Sequence, residues 1–73
     1  MQVLRVLNFR IMLTSVIAYV TQEPRDNMPF TLTVYLKGGE TIMLSSFDEQ
    51  ESQEIKETAE FLDVWFEPKK WND

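Results

Sequence analysis

Leu7, Phe9, Ile11 and Leu13 alternate with Asn8, Arg10, Met12 and Thr14. A period of two places one apolar face on a sheet, so residues 7–13 are expected to form a first strand. Residues 16–21 are dense in β-branched and aromatic side chains and read as a second strand, with Thr14-Ser15 as the turn, bend or bulge between them. A single helix over residues 3–20 is the competing reading, but its apolar positions are spread too evenly around the axis to define one face. Residues 23–29, with Pro24, Pro29 and the Asp26-Asn27 pair, have the composition of a surface loop.

Residues 30–44 carry the clearest pattern, a β-hairpin turning at Gly38-Gly39. A two-residue Gly-Gly loop would set Val34 opposite Met43 and Tyr35 opposite Ile42, dividing the apolar residues between the two faces. A three-residue loop, Lys37-Gly38-Gly39, pairs Val34 with Ile42 and Leu32 with Leu44 on one face. It also leaves Gly39 for the left-handed position, and this is the register expected.

A helix follows. Ser46 is the expected N-cap, Glu49 stands three residues on, and acidic residues fill the first turn, where the helix dipole favours them. At about 100° per residue, Ile55, Thr58, Ala59, Leu62, Trp65 and Phe66 share one arc, while Glu49, Gln53, Lys56, Glu57, Glu60 and Asp63 lie opposite. The apolar arc is expected to pack on the sheet. Val64 falls on the wrong side, and Pro68 disfavours helix at Glu67, so the helix should end between Leu62 and Phe66.

These elements predict an α+β fold: a small antiparallel sheet of about four strands with one C-terminal helix packed on it, in a single small domain, residues 1–73. Leu36-Lys37-Gly38-Gly39-Glu40 followed by a capped helix, over residues 30–66, resembles the small pleckstrin-homology-like proteins, including uncharacterised bacterial and phage proteins of that shape. The resemblance implies a partly open barrel closed by the helix, and by shape analogy a lipid or small-ligand binder. It carries over no ligand site, since a phosphoinositide site would want a basic loop and Lys37 alone does not supply one.

Composition narrows the function. In 73 residues there is no cysteine and no histidine, so the usual zinc and iron ligands, a thiol nucleophile and the commonest general base are missing. Asp48, Glu49 and Glu51 lie near a helix start without the Asp-x-Asp-x-Asx-Gly spacing of a calcium loop. Gly38-Gly39 joins two strands and is a turn, not a phosphate cradle. The chain is therefore expected not to be an enzyme and to use no metal or cofactor.

Charge is segregated. Residues 48–67 hold eight carboxylates against the single Lys56, a local net of −7 in a chain whose total is −5. Such a pole repels phosphates, so direct binding of nucleic acid or of an anionic membrane is not expected. Arg5 and Arg10 ahead of the apolar residues 11–20 follow the order of a secretory signal, but Ala18-Tyr19-Val20 is a poor cleavage site and Thr14 and Ser15 interrupt the run. A soluble, cytoplasmic protein is expected.

Two surfaces are candidates for function. Phe61, Trp65, Phe66 and Trp71 concentrate within eleven positions, more aromatic bulk than the helix arc needs, and suit an interface anchor. Glu54, Glu57, Glu60 and Asp63 form a candidate acidic face, which in its bland form is a solvated helix surface. A chain this short buries only about 60% of the surface its unfolded form exposes. The preferred reading is a non-enzymatic protein-interaction module that homodimerises, or assembles further, through a sheet edge or its aromatic C-terminal segment. Another protein is the second candidate partner. The alternative is an acidic phage-type inhibitor, or nucleic-acid mimic, docking on a basic host protein.

Overall fold

In the computed structural model, which describes residues 2–66, the N-terminal alternating stretch folds as a hairpin of its own. Strand β1 (Val3–Val6) pairs antiparallel with β2 (Phe9–Met12), with Val6 opposite Phe9, so Leu7 and Asn8 form a two-residue loop. The single strand expected over 7–13 is therefore shortened to 9–12, with Leu7 and Asn8 in the loop before it and Leu13 in the turn after it. Leu4 and Val6 supply a second period-two pattern, and the turn at Leu7-Asn8 brings it onto the same face as Phe9 and Ile11: Leu4, Val6 and Ile11 are buried, Phe9 is exposed and Leu7 only partly covered. Leu7 holds φ = 53°, the left-handed conformation that the first position of a primed hairpin turn demands and that costs a bulky residue about 1–2 kcal/mol. Its N–H donates to the Glu54 carboxylate at 2.7 Å, which pins the loop to the helix.

A 3-10 turn over Leu13–Ser15 then leads into β3 (Val16–Gln22), so Thr14-Ser15 does lie in a turn between strands. Strand β3 pairs antiparallel with β4 (Thr31–Leu36), and β4 with β5 (Thr41–Ser45), giving the order β3-β4-β5. The β4–β5 register matches the three-residue loop: Leu32 faces Leu44 and Val34 faces Ile42. Gly38 and Gly39 both sit at positive φ (90° and 92°), one more left-handed residue than expected. Gly39 N–H closes the turn on the Leu36 carbonyl, which puts Gly38 at the third turn position, where φ must be positive.

The molecule is thus α+β: the described residues hold five strands in two small antiparallel sheets rather than about four in one, and these sheets do not close into a barrel. Helix α1 (Glu49–Trp65) packs on β4, β5 and β1. Its Ile55, Ala59 and Leu62 join Leu4, Val6, Ile11 and Leu13 of the hairpin segment and Val16, Leu32, Val34, Leu36 and Leu44 of the larger sheet in one core. Ile55, Leu62, Leu32 and Val34 are completely buried, each worth about 1.5–3 kcal/mol relative to exposure. Thr58, also buried, satisfies its hydroxyl by donating to the Glu54 carbonyl one turn back at 2.9 Å.

The helix start differs from expectation by two residues. Asp48, not Ser46, is the N-cap, its carboxylate accepting from Gln50 and Glu51 N–H at 2.8 and 3.1 Å. Ser46 Oγ instead accepts from Asp48 N–H and donates to Glu51 Oε1. Asp wins the position because an ionised carboxylate makes stronger bonds to backbone N–H than a hydroxyl and also meets the positive end of the dipole. The C-terminal boundary, Trp65, falls inside the expected window.

Candidate interaction surfaces

The apolar arc of α1 is shorter than its periodicity suggests. Ile55, Thr58, Ala59 and Leu62 are buried, but Trp65 and Phe66 keep 43% and 38% of their surface exposed. The helix's contribution to the buried core ends at Leu62. Trp65 instead stacks on Phe61, one turn back, with ring centroids 6.0 Å apart and planes at 24°. Phe66 turns the other way and meets the Tyr19 ring at 5.9 Å. The expected aromatic cluster is therefore divided: Phe61 and Trp65 form one exposed pair, Phe66 belongs to the β3 side, and Trp71 lies outside the described residues.

The acidic face is also divided. Glu54 accepts the Leu7 N–H, and Asp63 Oδ1 accepts the Tyr19 hydroxyl at 2.6 Å. Both carboxylates tether the helix to the sheets. Burial first, then the hydrogen bond to Asp63 and the charge of that carboxylate, push the Tyr19 phenol from its ordinary 10 up to about 12. Glu57 and Glu60 remain on the solvent side, Glu57 accepting from Gln53 Nε2 at 3.3 Å. Among the described residues no group of three or more carboxylates is placed to hold a metal ion.

The surface that sequence reasoning missed is the outer face of the larger sheet. The strand registers set three rows on it: Ala18, Tyr35 and Thr41; Val20, Thr33 and Met43; Gln22, Thr31 and Ser45. None of these nine side chains is charged, although about a quarter of the chain is Asp, Glu, Lys or Arg. Tyr35, Val20 and Met43 are exposed, Met43 at 67%, and Ile17 stands out at 61% where β3 bulges between Val16 and Ala18. Strand β3 is also an edge of its sheet, and its seven residues contain no charge and no proline. Edge strands normally carry Lys, Pro or inward charges that discourage pairing with another chain, whereas β3 keeps only the bulge near its start. The absence of charge from residues 16–22 was visible in the sequence; that they form an edge was not.

Comparisons with family models, with curated proteins and with solved structures give no match to this chain. No helix among the described residues is long and apolar enough to cross a membrane.

Proposed function

We propose that this protein is a non-enzymatic interaction module that homodimerises by antiparallel pairing of β3 with β3 of a second copy. The observation that carries the reading is the uncharged, proline-free β3 edge beside an uncharged outer sheet face. Pairing about a two-fold axis extends each three-stranded sheet into one of six strands and satisfies the backbone groups of the edge. Two copies of net charge −5 meet there through strands that carry no charge of their own, with Asp63, bound to the Tyr19 hydroxyl, and Glu23 and Glu60 beside Thr21 flanking the inner side. Depletion of charge with Tyr and Met present is the composition of an interface centre. The partner this surface suits is another uncharged strand, which the chain itself provides.

Substituting Val20→Lys, alone and with Ile17→Lys, tests the proposal. Both side chains are exposed, so the fold should persist. Sedimentation equilibrium should show a dimer for the parent and a monomer for the double variant at the same concentration. A dimer that survives both lysines would place the interface elsewhere, with Phe61→Ala/Trp65→Ala as the variant to compare.

A further inference from the structure

Five basic side chains fall within the described residues: Arg5, Arg10, Arg25, Lys37 and Lys56. Three of them gather at one end of the molecule. Arg5 and Arg10 are directly opposite each other across the β1–β2 ladder, between the buried neighbours Leu4 and Val6 on one strand and beside buried Ile11 on the other. Both therefore point to the outward face of that hairpin. Like charges directly opposite on neighbouring strands repel and destabilise the pair unless an anion lies between them. The two arginines, with Leu7 and Asn8 of the loop, line a depression of about 160 Å³, well above the ~10–15 Å³ that one water needs. Arg10 also lines an adjoining depression of about 350 Å³ with Ser15, Lys37 and Glu40. Lys37 is brought there by its own N–H, which donates to the Ser15 carbonyl at 2.9 Å and ties the β4–β5 loop to the turn ahead of β3. Glu40 is the one carboxylate among the residues lining either depression.

We infer that Arg5 and Arg10, with Lys37 alongside, form a binding site for a phosphate monoester. A carboxylate offers two oxygens and is satisfied by one guanidinium fork, which leaves the facing arginine unneutralised. A phosphate monoester has three terminal oxygens and up to two charges, enough to bridge both forks, each of which presents N–H donors in a fixed plane. The hairpin is held in place from its loop, where the left-handed Leu7 is fastened to Glu54, so the two arginines are presented on a supported element. The site includes no residue of β3 and does not depend on dimerisation.

The test is an NMR titration of the full chain, ¹⁵N-labelled, following the arginine side-chain N–H signals with inorganic phosphate, acetate and chloride at matched ionic strength and pH. Arg5 and Arg10 should shift saturably in the millimolar range with phosphate alone. Arg10→Gln should weaken phosphate binding at least tenfold, while Arg25→Gln leaves it unchanged. Because Arg10→Gln removes a repulsive pair, its melting temperature without phosphate should equal or exceed that of the parent, which separates lost binding from lost folding. Vesicles of phosphatidylcholine with and without phosphatidic acid distinguish the source. Response to inorganic phosphate assigns a soluble ligand, and capture only by phosphatidic acid vesicles assigns a lipid headgroup. Equal responses to phosphate, acetate and chloride, full binding by Arg10→Gln, or no response to either phosphate source would overturn the inference.

Discussion

Raising the pH through the Tyr19 titration should loosen the contact between α1 and β3. The Tyr19 hydroxyl donates to Asp63 at 2.6 Å, and its pKa is lifted from 10 to about 12 in the folded protein. A folded-state pKa above the unfolded value means that the protonated form is preferred in the native state. The associated stability is fully present below pH 10 and is lost as pH rises through about 12. Two pKa units correspond to about 2.7 kcal/mol, and solvent access to this half-buried ring reduces that to about 1–2 kcal/mol. The assay is urea unfolding of the parent and of Tyr19→Phe at several values between pH 8 and 12.5, read as the difference between the two so that other titrating groups cancel. The parent should be more stable by about 1–2 kcal/mol at pH 8, a normal return for a hydrogen bond to a charged acceptor. That advantage should shrink above pH 10 and vanish by about 12. A difference that stays constant across the range would mean that the Tyr19–Asp63 bond is not formed in solution, and the reasoning fails.

Two further perturbations test the local structure. Asp48→Ala removes the cap of two helix N–H groups and should cost about 1 kcal/mol in urea or thermal unfolding, whereas Ser46→Ala should cost less because Ser46 is outside the cap. Gly38→Ala adds a Cβ that meets nothing within 4 Å, so its cost is purely that of a left-handed φ, about 1–2 kcal/mol; an unchanged melting temperature would argue for a different β4–β5 loop.

Where the chain obeys a strict period, its sequence was informative. Leu32, Val34, Ile42 and Leu44 admit one register that keeps them together, and that register is found. The same holds for Ile55, Ala59 and Leu62, whose 3.6-residue spacing leaves one face to bury. The N-terminal hairpin was hidden because its loop uses Leu7-Asn8, without the glycine that ordinarily announces a primed turn. Its strain is met by a hydrogen bond from Leu7 N–H to the Glu54 carboxylate, forty-seven residues away, which no local pattern reveals. Trp65 and Phe66 have the right phase for the core but stay partly exposed, Trp65 against Phe61 of its own helix and Phe66 against Tyr19 of the edge strand, pairings that periodicity does not reveal. The candidate surfaces were legible only in part. The aromatic concentration and the acid excess are plain in the composition, but the facing of Arg5 and Arg10 and the exposure of Val20, Tyr35 and Met43 follow from strand pairings between separate segments.

The central claim is self-association through an uncharged strand edge, and its most direct test is mass by light scattering over a roughly hundredfold dilution at low and high salt. Two copies of charge −5 repel each other while the strands that meet carry no charge, so salt should screen the repulsion and tighten the dimer. Twice the 8.6 kDa of one chain is expected at high concentration, persisting to lower concentration as salt is raised. A mass of one chain at every concentration and salt, or a dimer that dissociates as salt increases, would contradict it.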